Sequence, residues 1–163
     1  MELKGAERLH PLPRIEEYTD IDLYMDQVIT FMEKKYPRRP LTKTMINNYT
    51  KDRILPPPIR KKYSREHLML LSLLQVLKGT QSLPEVKKVL HPISQELAKG
   101  DSTPLYKQYR SFLSMQDELD RIVSSAMDEM SQLSADKGIR AFIASAMASY
   151  FSDLTSEIIG EMD

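Results

Sequence analysis

The sequence contains no cysteine. This absence excludes disulfide bonds, thiolate metal ligands, iron–sulfur clusters and a cysteine nucleophile. Histidine is scarce as well, because His10, His67 and His91 are the three imidazoles and no two of them have an i, i+4 spacing. The five glycines are scattered and form no phosphate-binding loop. We therefore expect no metal, no cofactor and no catalytic residue, so the protein is not expected to be an enzyme.

Long apolar runs are also missing. No stretch approaches the roughly 18 consecutive apolar residues that a membrane-spanning helix needs, and the first residues contain no hydrophobic signal core. The expected location is therefore the cytoplasm. The chain has 163 residues, of which 41% are hydrophobic and 28% charged. This length and balance predict one domain, or a small domain with an appendage, that needs no covalent staple.

The formal net charge is zero, but the charges are unevenly distributed. Between Lys34 and His67 there are eleven basic residues against two acidic ones, whereas residues 114–163 contain ten acidic residues against three basic ones. A basic module joined to an acidic one has a focused positive field despite the neutral total. A solvated surface is the alternative interpretation of such a charge run.

Hydrophobic spacing along the first half predicts helices separated by short loops. A first helix is expected from about Asp22, capped by Asp20 or Asp22, to Tyr36. Thr42 should cap a second helix that ends before the prolines at 56–58. Residues 56–63 then form an extended basic loop, and no strand of convincing length is expected.

A third helix should begin after Ser64 as its cap and end with Gly79 at the position after the C-cap. Ser82 and Glu85 form a capping box for a fourth helix that is expected to stop near His91 and Pro92. A long helix should follow from about 104 to 133, with a break at Gly138 and a last helix to about 158. These helices predict an all-α chain with an N-terminal arm (1–20), a DNA-binding domain (21–92), a linker (93–103) and a C-terminal helical region (104–163).

The long helix shows a heptad pattern that is typical of a coiled-coil seam. We predict that this seam forms a homodimer interface through Tyr109, Phe112, Gln116, Leu119, Val123, Ala126, Met130 and Leu133. An intramolecular pair with the last helix, 139–159, is the alternative. Methionines in this region would either line a pocket for a small-molecule effector or fill the core.

The second helix and the basic loop contain the residue types that contact double-stranded DNA. Asparagine pairs with adenine in the major groove, lysine reaches guanine or phosphate, and basic residues on an extended loop suit phosphate contacts. The candidate DNA contacts are Lys43, Thr44, Asn47, Asn48, Tyr49, Lys51, Arg60, Lys61 and Lys62. Capping or solvation of the two asparagines and core packing of Tyr49 are the alternatives, and His67 is expected to be structural.

The order of elements over residues 41–90 resembles the DNA-binding domain of the MerR-type transcription regulators. The resemblance rests on a helix that contains Tyr49, the turn Ile54-Leu55-Pro56, the basic stretch Arg60 to Ser64, and residues 77–86. With LYMDQV, INNY and KKYSREHL, the whole chain is similar to a bacterial family of uncharacterised MerR-related proteins. Arg53 stands where the MerR pattern has a turn glycine. The resemblance implies a winged helix-turn-helix-like domain followed by a helical dimerisation region.

The leading functional hypothesis is thus a DNA-binding transcription regulator that acts as a dimer. The alternative is an adaptor that uses the same basic face to bind an acidic protein without any preference for a DNA sequence. RNA binding is a weaker alternative, because it requires exposed aromatic side chains, and Tyr49 and Tyr63 have the pattern of buried residues.

Overall fold

The computed structural model of the protein describes residues 11–163, which divide into two compact units, Leu12–Leu113 and Ser114–Asp163. The predicted all-α class is confirmed for these residues, because they form seven α-helices and a sheet of only two short strands. None of the helices combines the length and apolar character that a membrane crossing requires.

The first unit is a helical domain organised around its third helix, which has the most buried residues. Its elements are β1 (Leu23–Tyr24), α1 (Met25–Lys35), α2 (Lys43–Lys51), β2 (Lys62–Tyr63), α3 (Arg65–Lys78), α4 (Leu83–Ala98) and α5 (Thr103–Leu113). Helix α3 contacts α1, α4 and α5. Its residues Leu68 to Leu71 are all buried, so α3 is the central element on which the other helices pack.

Two of the predicted helix caps are confirmed. The Thr42 hydroxyl accepts a hydrogen bond from the Met45 amide (3.2 Å), and the Glu85 carboxylate accepts one from the Ser82 amide (2.9 Å). The prediction for Gly79 is wrong, since Gly79 is the C-cap itself and has a right-handed φ of −62°. A Cβ at position 79 would overlap the guanidinium of Arg39, so a side chain there would displace the hydrogen bond that Arg39 donates to the Gln75 carbonyl (2.6 Å).

The start of α1 also differs from the prediction. The helix begins at Met25, after β1, and its N-cap is Tyr24, so neither Asp20 nor Asp22 is the cap. The Gln27 side chain accepts a hydrogen bond from the Tyr24 amide (2.9 Å) in place of an aspartate cap. Pairing of β1 with β2 holds residues 23–24 in an extended conformation, which delays the helix.

The predicted N-terminal arm is partly wrong. Residues 1–10 lie outside the described part, but residues 12–20 are integral to the first unit, with Leu12 and Tyr18 only 1% and 4% exposed. The Tyr18 hydroxyl donates to Ser72 Oγ on α3 (2.6 Å) and lies 2.7 Å from the hydroxyl of Tyr109 on α5. Tyr109 in turn donates to the Pro13 carbonyl, so this buried hydroxyl cluster fastens the segment to two helices.

Burial keeps the phenols of this cluster protonated. It raises the pKa of Tyr36, which also bonds Ser72, to about 12, and it raises the pKa values of Tyr18 and Tyr109 further. The hydroxyls therefore act as neutral hydrogen-bonding groups over the whole physiological pH range.

Helix α4 is longer than predicted. It does not stop near His91 but continues through Pro92 to Ala98, and residues 93–98 of the predicted linker are helical. Leu90 and Ile93, on either side of the proline, are buried in the core. Because Pro92 has no N–H, α4 lacks one backbone hydrogen bond. The packing of α4 against α3 and α5 outweighs this loss, since side-chain burial stabilises a helix more than one hydrogen bond does.

The predicted long helix from 104 to 133 is also divided. Helix α5 ends at Leu113, and α6 (Gln116–Leu133) begins after a two-residue turn. Helix α7 (Lys137–Glu161) follows a three-residue connection, and its N-cap is Asp136, whose carboxylate accepts a hydrogen bond from the Ile139 amide (2.8 Å). Gly138 therefore lies in the first turn of α7 and does not break the chain.

The predicted seam is shared between the two units. Tyr109 is fully buried in the core of the first unit and is therefore not a dimer contact in this fold, and Phe112 is half-buried against the same core. In the second unit α6 contacts α7 of the same chain. Of the remaining seam residues, Gln116 is buried, Leu133 is exposed, and the half-buried ones are Leu119, Val123, Ala126 and Met130. The apolar seam thus serves two intramolecular contacts.

Candidate nucleic-acid interface

Helix α2 presents a continuous polar face to solvent. Lys43, Thr44, Asn47, Asn48 and Lys51 are all exposed, and their spacing places them on one side of the helix. The opposite side carries the buried residues of α2 and holds the helix against the core. The predicted polar contact residues of α2 are thus brought together on one accessible surface.

Tyr49 is the exception among the predicted contacts. It is only 2% exposed, and its ring packs in the core beneath the ammonium of Lys78, which lies 4.9 Å from the ring centroid. A side chain in this position does not reach a DNA groove. Its inclusion among the DNA contacts is therefore wrong, and the alternative of core packing is correct.

The basic loop forms a tight hairpin, which we call the basic hairpin and define as Ile59, Arg60, Lys61 and Lys62. The amide of Ile59 donates to the Lys62 carbonyl (3.0 Å), and the amide of Lys62 donates to the Ile59 carbonyl (2.9 Å). The two central residues have positive φ angles, 51° at Arg60 and 66° at Lys61. This is the conformation of a two-residue type I′ turn, for which Asn-Gly is the preferred sequence.

Two contacts link the basic hairpin to the start of α2. Lys62 pairs with Tyr24 in the sheet, and its ammonium lies 5.2 Å from the centroid of the Tyr24 ring. The chain then enters α1, where Asp26 forms an ion pair with Lys43, the first residue of α2 (2.9 Å). The basic hairpin, the start of α1 and the start of α2 are therefore neighbours.

Helix α2 ends in a turn, and Arg53 in this turn has an unfavourable backbone conformation. Ile54 donates its amide to the Tyr49 carbonyl (2.9 Å) and Arg53 donates to Thr50 (3.1 Å), which is the Schellman pattern. Arg53 has a φ of 60° at the position where glycine is usual. The imidazole of His91 lies 2.9 Å from the Arg53 carbonyl and fixes this turn to α4.

Left-handed backbone therefore coincides with positive charge. The three non-glycine residues with positive φ in the described part of the chain are Arg53, Arg60 and Lys61. A left-handed conformation costs an L-residue with a side chain about 1–2 kcal/mol, and glycine avoids most of that cost. Because strained backbone concentrates at functional sites, these three residues are candidates for a functional role.

Sequence reasoning missed two residues of this surface. Arg53 is exposed beside the candidate contacts, and its left-handed conformation had a signal in the sequence, namely the replacement of the turn glycine. Tyr24 supports the Lys62 ammonium. Its role had no local signal, since it depends on the pairing of Tyr24 with Lys62, which lies 38 residues further along the chain.

His67 supports the basic hairpin from behind. Its Nδ1 accepts a hydrogen bond from the Ser64 amide (3.0 Å), and its Nε2 donates to the Pro57 carbonyl (3.3 Å) on the other side of the hairpin. The ring also packs edge-on against Tyr63. Burial lowers the pKa of His67, although the carbonyls of Pro57 and Pro56 and the carboxylates of Glu66 and Asp22 oppose this shift. The predicted structural role of His67 agrees with these contacts.

The lowered pKa of His67 gives a testable pH dependence. The unfolded imidazole takes up its proton near pH 6.5, and the folded one does so at a lower pH. The stability that comes from neutral His67 is therefore complete above about pH 6.5 and is lost as the pH falls below it. We expect urea denaturation to show a smaller pH dependence in His67→Gln than in the wild type between about pH 7.5 and pH 5. Glutamine retains the capping acceptor without titrating, and equal pH dependences would contradict this role.

Two of the methionines of the C-terminal region, Met127 and Met130, border a small cavity. The cavity beside Met127 and Met130 has a volume of about 20 Å³, which holds about one water molecule. This cavity is therefore too small to hold a small-molecule effector.

The first unit thus belongs to the class of small helical domains, and it carries the basic hairpin beside the polar face of α2. A family profile described as a domain of unknown function (DUF1836) matches residues 12–112, and the chain belongs to this family. The match spans the first unit almost from end to end and includes both the segment 12–20 and α5. No curated protein and no solved structure matches the chain.

Proposed function

We propose that the protein is a DNA-binding transcription regulator that acts as a dimer. In this proposal α2 lies in the major groove of double-stranded DNA and the basic hairpin serves as the wing that contacts the adjacent backbone. The observation that carries it is the strained, basic tip, Arg60 and Lys61, next to the exposed polar face of α2. The resemblance of residues 41–90 to MerR-type regulators supports the same assignment.

The electrostatics of the surface favour a polyanion. The segment from Lys34 to His67 has eleven basic residues against two acidic ones, and several of the basic side chains are exposed on α2 and the basic hairpin. Asn47 and Asn48 add groups that read adenine, which a purely electrostatic surface lacks. This combination supports phosphate contacts that position the protein and base contacts that specify the sequence.

The way α2 is held in place also supports this proposal. The connection between α1 and α2 has seven residues, 36–42, whereas the turn of a helix-turn-helix usually has about three or four. A reciprocal pair of hydrogen bonds fixes this longer connection to α3, because Arg39 donates to the Gln75 carbonyl and Gln75 donates to the Arg39 carbonyl (2.9 Å). The start of α2 therefore has a rigid support.

The salt dependence of DNA binding tests the proposal. For about six to eight neutralised phosphates, log Kobs for a short mixed-sequence duplex should fall with log salt concentration with a slope of about −5 to −7. Fluorescence anisotropy measures this slope, with polyglutamate as a competitor of matched charge. No binding at low salt would overturn the proposal. Equal competition by polyglutamate would favour the adaptor that binds acidic proteins.

A further inference from the structure

The exposed apolar side chains of the first unit are concentrated beside the basic hairpin. Among the described residues of this unit, the large hydrophobic side chains that are exposed are Ile21, Tyr24 and Ile59, with exposed fractions of 74%, 54% and 74%. Ile59 belongs to the basic hairpin, Tyr24 lies in β1, and Ile21 precedes β1 by two residues. Single exposed apolar residues are ordinary on a protein surface, but their concentration at one corner indicates a contact surface.

The strand register places Tyr24 and Ile59 on the same face. Tyr24 pairs with Lys62 between β1 and β2, and Ile59 pairs with Lys62 across the hairpin turn. Directly paired residues of antiparallel strands have neighbouring side chains on one face, so Tyr24, Lys62 and Ile59 form a row, which we call the hairpin row. The adjacent pair, Leu23 and Tyr63, lies on the opposite face and is half-buried and buried. The hairpin row therefore faces solvent.

The hairpin row combines apolar surface with positive charge. The Lys62 ammonium lies 5.2 Å from the centroid of the Tyr24 ring, and Arg60 and Lys61 are exposed at the adjoining tip. Recognition of a phosphate alone needs cations and N–H donors and gains nothing from apolar surface. In duplex DNA each phosphate adjoins a deoxyribose, whose C2′ carries no hydroxyl, and proteins use apolar side chains such as isoleucine to contact DNA in its minor groove.

We infer that Ile59 and Tyr24 of the hairpin row pack against deoxyribose and thereby favour DNA over double-stranded RNA. In RNA the 2′-hydroxyl occupies this surface, and an apolar side chain that covers it removes its hydrogen bonds to water. The cations of the basic hairpin attract both polyanions, so they do not discriminate between them. This inference rests on the proposed DNA-binding function and goes beyond it, because it assigns part of the choice of nucleic acid to two uncharged residues.

Substitution of Ile59 tests the hairpin row without a change of charge. Ile59→Thr keeps a β-branched side chain, which suits an extended backbone, but replaces apolar surface with a hydroxyl. Its affinity for a mixed-sequence DNA duplex should fall about tenfold, because less apolar surface is buried on binding. Its affinity for the RNA duplex of the same sequence should change by less than about twofold, since the row does not pack on ribose. Fluorescence anisotropy measures both affinities.

The salt dependence separates this contact from the electrostatic one. The slope of log Kobs against log salt concentration should be the same in Ile59→Thr as in the wild type, because no phosphate contact is lost. Tyr24→Thr should likewise weaken DNA binding more than RNA binding. Ile21→Thr is the matched control, since Ile21 has the same exposed fraction as Ile59 but lies outside the hairpin row. The control should bind both duplexes like the wild type.

The outcomes distinguish this inference from the proposed function. Wild-type DNA affinity in Ile59→Thr, an equal loss for the DNA and RNA duplexes, or an equal loss in Ile21→Thr would overturn the inference while DNA binding itself stood. Absence of DNA binding by the wild type would overturn the proposed function and this inference with it. Circular dichroism should be unchanged in every variant, because the substituted side chains are exposed.

Discussion

Replacement of Arg60 and Lys61 by Asn and Gly is expected to stabilise the protein and to weaken its binding to DNA. Asn-Gly is the preferred sequence of a type I′ turn, and the wild-type residues at both positions have positive φ. Relief of this strain should raise the free energy of unfolding by about 1–2 kcal/mol. If two copies bind together, four basic side chains are lost, so DNA affinity should fall by about 100-fold at low salt and the salt slope should become shallower by about three to four.

The opposite signs of these two effects make the variant informative. If the variant were less stable than the wild type, its weaker DNA binding could result from unfolding. In a variant that is more stable than the wild type, weaker DNA binding results from the loss of the two basic side chains. The matched control removes two exposed lysines elsewhere in the same unit, Lys87→Gln on α4 and Lys107→Gln on α5. The control has the same net charge and should retain most of the affinity. Unchanged affinity in the Asn-Gly variant would show that the hairpin does not contact DNA.

Removal of the Tyr109 side chain is expected to unfold much of the first unit. Tyr109 is fully buried, and its hydroxyl contacts Tyr18 and Pro13. Truncation of a buried aromatic to alanine costs about 3–5 kcal/mol, which is a large part of the total stability of a small domain. Chemical denaturation of Tyr109→Ala measures this loss. Lys107→Ala, an exposed change on the same helix, should remain within about 0.5 kcal/mol of the wild type.

Tyr109→Phe separates this core role from the predicted role in a dimer seam. The variant keeps the ring but removes the hydroxyl, so it should lose about 1–3 kcal/mol of stability. Because Tyr109 faces the core of its own chain, the oligomeric state should not change. A monomer from Tyr109→Phe with unchanged stability would restore the seam as the dimer interface.

The features that could be predicted from the sequence are those with a local physical cause. Thr42 and the Ser82–Glu85 pair act on amides within three residues of themselves, so their roles are visible in a short stretch of sequence. The exposed face of α2 follows from helical periodicity alone. The charge asymmetry between the two halves is a matter of composition and does not depend on the fold.

The features that were missed depend on contacts distant in sequence. Pro92 indicates a helix end by itself, but burial of Leu90 and Ile93 carries α4 past it. The heptad pattern from Tyr109 to Leu133 is regular, yet its first residues pack on the first unit and later ones belong to the unit formed with α7. Periodicity shows that a residue is buried, but it does not show which partner buries it.

The basic hairpin lies between these two cases. A basic stretch after three prolines predicted an exposed loop, and the loop is exposed at Arg60 and Lys61. The type I′ turn could not be predicted, because its usual marker is Asn-Gly and neither residue is present. The departure from that marker is the feature that supports a function for the hairpin, since structure alone would favour the unstrained sequence.

Selection from a random pool of duplex DNA is the measurement that tests the central claim most directly. The purified full chain is mixed with the pool, and the retained duplexes are sequenced. The proposed regulator should enrich an inverted repeat, because a two-fold dimer reads two half-sites, and the spacing of the half-sites should report its geometry. Retention without enrichment, or no retention by folded protein at low salt, would contradict sequence-specific DNA binding by α2 and the basic hairpin.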